Sequence, residues 1–590
     1  MREYSVPVLV DVPASANCAD TVFRRGEQEP GAVVMRRMSG GGWPVVTAAE
    51  FRDEVAGVAK GLIAAGIEPG DRVGLMSRTR YEWAVIDYAI WAAGAVSVPI
   101  YETSAAEQVG WILADSGAKA AFVELDGHLE TVESVRGEVP DLKSVWRVDE
   151  LSALAAEGSG VSDETLTTRR QALVSADLAT IIYTSGTTGR PKGCRLTHDN
   201  LLYTAINVAR GPLEPLFAGQ GKSALLFLPL AHVFARVIQV VFVETGAVLG
   251  HTPNMKNVAP DLASFQPTFL LGVPRVFEKV YNGAEQKAVA GGKGKIFARA
   301  AETAVAFSKA GSHAGLGLRL RHALFDKLVY GKLRAATGGR LSAAVSGGGA
   351  LGERLGHFFT GVGIEVFEGY GLTETTAPVA VNMPGANKIG TVGKPIPGAS
   401  VRIGDDGEIL TKGRHVFKGY WNNDQATAEA IDEDGWYHTG DVGELDADGY
   451  LRITGRKKEI LVTAAGKNIA PAPMEDAIRA HPLVSQAMIV GDGRPFVAAL
   501  ITLDPEALEQ WRAASPGSGE PSSDPRLLAE VQQAVDAANR TVSKAEQIKK
   551  FVVLDTDLTE ESGHLTPTLK LKRNLVMRDF AKQVDDLYGT

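Results

Sequence analysis

Cysteine is nearly absent: Cys18 and Cys194 are the only two in 590 residues. That excludes a disulfide framework and an all-cysteine metal site, suits a reducing compartment, and leaves oxygen ligands for any metal. Sustained apolar runs are missing too. The best stretch, Leu225 to Val243, is broken by Pro229, His232, Arg236 and Gln239, and its polar groups are costly in hydrocarbon. It is expected to form a buried strand and helix. The N-terminal MREYSVPVLVDVPAS has charges near its start and no apolar core, so it does not read as a signal peptide. A cytoplasmic location is expected, with peripheral contact at the inner membrane face left open. There is also little excess of one charge sign. A net charge of −9 gives no general attraction to nucleic acid or anionic lipid, so no nucleic-acid partner is expected and phosphates must be held by local groups.

What is present is a globular composition, 45% hydrophobic and 22% charged, on a chain long enough for two or more domains. Short β-branched runs alternate with Ala-rich helical segments. Around Gly70 to Ile100, GDRVGLMS reads as a strand, EWAVIDYAIWAAGA as a helix and VSVPI as the next strand, which predicts doubly wound α/β layering. Residues 283–339 are rich in Ala, Lys and Arg with few strand signals, predicting a helical excursion. Between about 390 and 457 the texture becomes β-rich, with Asp-Gly turns at Asp406-Gly407 and Asp448-Gly449, because Gly tolerates the positive φ of tight turns. Pro516 to Asp524 reads as a solvated loop. The main domain boundary is placed at Lys458, giving 1–457 and 458–590.

Chemistry begins at TSGTTGRPKG, Thr184 to Gly193, directly after the strand-like LATIIY. Its four hydroxyls, three glycines and Lys192 suit a phosphate-gripping loop, since glycine exposes backbone N–H groups to an anion. A solvated Gly/Thr loop is the bland alternative. The spacing is not the Walker pattern, because Lys192 follows Gly189 by three residues. Gly221-Lys222-Ser223 mimics a Walker end, but Leu216 stands where a Gly is needed. Gly347, Gly349 and Gly352 satisfy G-x-G-x-x-G with Glu368 downstream, a short pattern that leaves a dinucleotide site as a second possibility. In EGYGLTETT, Glu368 to Thr376, Tyr370 can stack on a base, Thr373 can donate to a phosphate and Glu374 is a hard ligand suited to Mg²⁺. A helix cap is the commoner fate of such a sequence.

Together, YTSGTTGRPKG, LPLAHVF at Leu228 to Phe234, EGYGLTETT and DGWYHTGDVGELDADGYLRITGRKKEI at Asp434 to Ile460 resemble the successive motifs of the adenylate-forming superfamily. That superfamily includes acyl-CoA synthetases, luciferases and peptide-synthetase adenylation domains. GVPRVFEKVYN, FDKLVYGKLRAATGGRL and LTPTLKLKR further resemble the bacterial long-chain fatty acyl-CoA synthetase branch. The resemblance implies a large N-terminal domain of two doubly wound αβ layers plus a distorted β-barrel subdomain, followed by a small, mobile α+β domain.

It also implies roles by position. Thr184, Ser185, Gly186, Thr187, Thr188, Gly189 and Lys192 would clamp the phosphates of ATP, and Glu368, Gly369 and Tyr370 with Gly347, Gly348 and Gly349 would hold adenine. Thr373 would meet the α-phosphate, Glu374 would bind Mg²⁺, Asp441 would accept from the ribose hydroxyls and Arg456 would support the nucleotide. His232 would sit where the carboxylate enters. Lys570 corresponds to the catalytic lysine, Lys458 to the hinge, and Gly466 and Lys467 to the channel for coenzyme A. The implied reaction joins a fatty acid, ATP and coenzyme A. A fatty acyl-AMP ligase loading a carrier protein is the alternative, and a catalytically silent nucleotide-binding protein a remote one. One departure stands out: SGGGAL at Ser346 to Leu351 replaces the family's usual SGGAPL, which puts chain-length preference in doubt. The sequence leaves oligomeric state and pathway undetermined.

Overall fold

The computed structural model describes residues 1–184, 190–253, 257–464, 466–515, 519–544, 546–566 and 569–589. Three large sheets organise the chain. One has six strands in the order Ser144–Arg147, Ala120–Val123, Arg72–Met76, Val96–Ile100, Leu178–Thr184 and Lys192–Thr197. Its neighbours pair in parallel except the last, which returns antiparallel from the end of Leu178–Thr184. A second has nine strands, ordered Lys394–Pro395, Ala377–Val381, Glu365–Leu372, Ala343–Ser346, Phe269–Gly272, Ser223–Leu226, Val248–His251, Val33–Arg36 and Val45–Thr47. Its middle pairings are parallel and its edges antiparallel. The third, in the β-rich stretch, runs Glu3–Ser5, Ser400–Ile403, Glu408–Lys412, Tyr437–Leu445 and Leu451–Arg456. Gly407 and Gly449 adopt φ of +82° and +83°, as the Asp-Gly turns require.

The chain divides into two compact units, Met1–Arg402 with Leu410–Thr439 and Leu445–Leu451, and Ile403–Ile409 with Gly440–Glu444 and Arg452–Thr590. In the first, every residue of helix Tyr81–Ala92 is buried, which is why its sequence is apolar all round. Its Asp87 pairs with the buried Arg236 on helix Val233–Thr245, whose Nε lies 3.0 Å from Asp87 Oδ2 and whose Nη1 donates to Thr180 Oγ1 at 2.5 Å. The stretch 225–243 is therefore the expected strand and helix, with its interrupting arginine neutralised inside the fold. Residues 274–336 are helical throughout much of their length, matching the predicted excursion.

The second unit is centred on strands Val484–Val490, Val497–Leu503 and Ile548–Val553. Ala487, Ile489, Ala499 and Ile501 face a core with Ile478, Leu527 and Val531. Met488, Val490, Ala498 and Leu500 face a second core with Val576, Val584 and Leu587. Alternate residues point to opposite faces of a strand, so a stretch of sheet covered on both sides reads as a continuous apolar run, as 487–490 and 497–501 do.

Candidate active site

Strand Leu178–Thr184 ends at the TSGTTGRPKG motif, and Lys192 opens the returning strand opposite it, with Thr184 and Lys192 in register. Ser185, Gly186, Thr187, Thr188 and Gly189 lie outside the described residues. Residues 417–421 run beside the returning strand: Lys418 N donates to Arg195 O at 3.1 Å, Arg195 N to Gly419 O at 3.0 Å and Trp421 N to Gly193 O at 2.7 Å. This pairing brings Tyr420 over the loop's cation, its ring centroid 5.0 Å from Lys192 Nζ. The Tyr420 hydroxyl donates to Glu374 Oε1 at 2.9 Å. Burial, reinforced by the Glu374 charge, pushes the Tyr420 phenol and the Cys194 thiol well above their ordinary values. Both stay protonated at neutral pH and serve as donors rather than acids.

Thr373 and Glu374 occupy a single tight turn, Thr373–Thr375, after strand Glu365–Leu372. The turn is held by hydroxyls that the sequence left unassigned. Leu372 N donates to Thr375 Oγ1 at 2.8 Å, Thr375 Oγ1 to Ala377 O at 3.0 Å and Thr376 Oγ1 to His415 O at 2.8 Å. Phe417 N donates to Glu374 O at 2.8 Å. Thr376 and Ala377 both have positive φ, 53° and 70°, a left-handed backbone that costs non-glycine residues of order 1 kcal/mol or more each. Such strain persists only where surrounding bonds overdetermine it. Gly371 has no alternative here: a Cβ would stand 1.5 Å from the Ala377 carbonyl oxygen.

The glycine turn after Ser346 joins three motifs. A Cβ on Gly347 would meet the Phe234 ring at 3.0 Å, and Gly348 and Gly349 approach Val273 and Pro274. Gly348 sits at φ +80°, a conformation that glycine adopts freely. Glu368 ties this turn to its strand by accepting from Leu351 N at 2.9 Å, and Ser346 and Glu368 are paired in parallel register. The G-x-G-x-x-G pattern thus closes a turn between motifs of one unit. Gly369 and Tyr370 follow on the same strand, opposite Val381 and Ala380. His232 caps helix Val233–Thr245, its Nδ1 accepting from Phe234 N at 3.2 Å. In its neutral form the ring therefore carries its proton on Nε2.

In the second unit, Arg456 Nε donates to Asp441 Oδ1 at 2.8 Å, and Asp441 is 4% exposed. Lys457, which the sequence reading passed over, holds Asp406 at 2.6 Å and Glu408 at 3.1 Å. Glu408 also accepts from Gly440 N at 2.9 Å, so this cation braces the residue beside Asp441. Lys458 is exposed within the short turn Lys457–Glu459. Gly466, at φ +77°, and Lys467 lie in the hairpin joining Leu461–Val462 to Asn468–Ile469, and Lys467 Nζ meets Glu546 at 3.2 Å. Lys570 is exposed and follows Leu569, whose φ is +61°. Its turn is closed by Thr566 N donating to Lys570 O at 2.8 Å and Lys570 N to Thr566 Oγ1 at 3.1 Å.

Tyr420, Thr375, Thr376 and Lys457 brace the candidate residues or their neighbours, and sequence reasoning missed them. A signal existed for Tyr420, an aromatic pair after glycine in KGYW, but only the pairing of 417–421 with 193–195 gives it meaning. Residues 22–421 match the AMP-binding enzyme family, and residues 458–590 match the AMP-binding enzyme C-terminal domain. The chain is 52% identical over 601 residues to the long-chain-fatty-acid–CoA ligase FadD15 of Mycobacterium bovis, covering 100% of both. It is 31% identical over 625 residues to the long-chain-fatty-acid–CoA ligase ACSBG2 of Xenopus laevis, covering 96% of this chain and 82% of that one. The solved A domain of a carboxylic acid reductase from Segniliparus rugosus, in complex with AMP and a co-purified carboxylic acid, shares the fold. Its TM-score is 0.76 at 20% identity, over 98% of this chain and 95% of that one.

Proposed function

The chain belongs to the AMP-binding enzyme family, and from that premise we propose that it is an AMP-forming ligase joining a long-chain fatty acid to coenzyme A. The observation that carries the substrate class is the 52% identity to a long-chain-fatty-acid–CoA ligase over the full length of both chains. In the first step a carboxylate oxygen attacks the α-phosphorus of ATP, the bond to the bridging oxygen breaks, and pyrophosphate leaves. In the second, the coenzyme A thiolate attacks the acyl carbonyl, the acyl C–O bond breaks, and AMP leaves. Both steps bring anions together, so positioning and charge neutralisation carry the catalysis.

In this reading Thr184 to Gly189 and Lys192 grip the ATP phosphates, and Thr373 donates to the α-phosphate. Glu368 to Tyr370 and Gly347 to Gly349 border adenine, while Asp441 and Arg456 serve the ribose and nucleotide. His232 offers Nε2–H to the incoming carboxylate. Lys570 supplies a compact, flexible cation to carboxylate and phosphate in the first step. Lys458 acts as a backbone hinge, and Gly466 and Lys467 line the pantetheine path. The working division is an adenylation domain at 1–457, β-rich from about 390, and a C-terminal domain at 458–590.

Glu374 is the residue that would hold Mg²⁺. Among the described residues no group of three or more His, Cys, Asp or Glu could take a metal. Mg²⁺ bound to a nucleotide takes one or two carboxylates and completes its shell with phosphates and water. Bound there, the ion would neutralise phosphate charge.

The test is a panel of carboxylic acids from acetate to long-chain fatty acids, assayed for AMP release with and without coenzyme A. The proposal expects release that favours long chains and needs coenzyme A. An adenylate that forms but is not discharged by coenzyme A would transfer the assignment to an acyl-AMP ligase. No AMP release with any acid would overturn the ligase reading.

A further inference from the structure

Four leucines stand in water on one face of the helical excursion. Leu316, Leu320, Leu324 and Leu328 are 76, 65, 55 and 48% exposed, on helix Leu316–Phe325 and its continuation Asp326–Tyr330. A spacing of four keeps side chains on one face, turning by only about 40° per step. The opposite face is firmly attached. His322 stacks on Phe307 with ring centroids 3.9 Å apart and reaches Gly361 O at 2.6 Å, while the Tyr330 hydroxyl donates to Ala300 O at 2.6 Å. Val289 and Ile296, on the helices Pro274–Ala290 and Gly294–Ala310, are 61 and 43% exposed. Single exposed leucines need no explanation, but a row on a rigid support does.

Charge identifies what covers the row. Residues 287–334 contain ten Lys and Arg but only two acids, Glu302 and Asp326, in a chain whose net charge is −9. The acidic balance of the whole conceals a strongly basic segment. Arg319, Arg321 and Lys327 alternate with the leucines and are exposed. A second copy docked on the same face would set these cations against their own images, which like-charge repulsion penalises. We propose that this face docks on an anionic lipid bilayer, the leucines entering the boundary between headgroups and acyl chains and the flanking cations meeting lipid phosphates. The acidic remainder of the molecule is repelled by the same surface, so docking is oriented. The inference stands apart from the proposed reaction, because vesicle binding is read without turnover.

Co-sedimentation with phosphatidylcholine vesicles, with and without phosphatidylglycerol, tests it. Wild-type protein is expected to sediment with the anionic vesicles, to stay in solution with the neutral ones, and to be released by high salt. The pair Leu320→Gln/Leu324→Gln should lower vesicle partition by about tenfold per leucine. Arg319→Gln/Arg321→Gln, which leaves the apolar row intact, should abolish the preference for anionic vesicles; it also serves as the test if the leucine pair loses its melting transition. Four outcomes would overturn the proposal: wild type unbound by anionic vesicles, equal binding to both compositions, variants that bind as wild type, or a leucine pair that converts a dimer to a monomer in vesicle-free buffer. The last would assign the face to self-association.

Discussion

The Tyr420 hydroxyl donates to Glu374 Oε1 at 2.9 Å while its ring faces Lys192 Nζ at 5.0 Å, so one side chain orients both the proposed metal ligand and the proposed phosphate cation. Tyr420→Phe keeps the ring and removes only the hydroxyl. Since a hydrogen bond to a charged group is worth about 1.5–3 kcal/mol, the KM for ATP with Mg²⁺ should rise roughly tenfold while kcat changes less. Steady-state ATP titration reads this, and an unchanged KM would mean that Glu374 is oriented by other groups. Gly371→Ala is harsher, because its Cβ would fall 1.5 Å from Ala377 O. The turn carrying Thr373 and Glu374 must then move, and a displacement of about 1 Å can cost about 10²-fold in rate. Activity in that range or lower is expected, with far-UV circular dichroism unchanged. The hard ligand Glu374 and the donor Thr373 were legible in the sequence because their chemistry is local. Tyr420 was not, because its role depends on pairing with a strand more than two hundred residues away.

Among the elements, helices Tyr81–Ala92 and Val233–Thr245 are joined by Asp87 and Arg236, each with a fully buried side chain. Burial pushes the Asp87 carboxyl up despite the guanidinium beside it. Removing one partner leaves an uncompensated buried charge, which costs about 3–5 kcal/mol, whereas an apolar pair of similar volume is often neutral or better. Asp87→Asn should therefore lose most of that stability in urea unfolding, and Asp87→Leu/Arg236→Met should recover it. If the double variant is no better than the single, the pair contributes more than charge compensation. The arginine lies four residues after His232, at the start of the same helix, so the pair also fixes the element that presents that ring. Strand and helix positions were readable from apolar periodicity. The order of the nine-stranded sheet was not: Val33–Arg36 and Val45–Thr47 join strands that begin at residue 223, and no local pattern records a crossover of that length.

For the molecule as a whole, buried histidines make one contribution to the response to acid. Burial lowers His415 and His251 to about 4 and His198 to about 3. Below about pH 6.5 the unfolded chain binds these protons and the native chain does not, so the histidine contribution to stability falls as pH drops from about 6.5 toward 4. Buried carboxyls pushed up, such as Glu244, act in the opposite sense. The difference between wild type and His415→Gln isolates one histidine: between about pH 7.5 and 5.5 wild type should lose about 1 kcal/mol relative to the variant in urea unfolding. Equal slopes would mean that His415 is solvated in the folded state. Net charge and the Lys- and Arg-rich run at 287–334 were legible from composition, but the exposed row of leucines was not, because only the fold shows which side of the helix faces water. The proposed reaction makes a stricter demand on the whole enzyme. With a long-chain fatty acid labelled by ¹⁸O in both carboxylate oxygens, ATP and coenzyme A, mass spectrometry of the products should find one ¹⁸O in AMP, one in the thioester and none in pyrophosphate. AMP without label, or label in pyrophosphate or phosphate, would contradict attack of the carboxylate on the α-phosphorus.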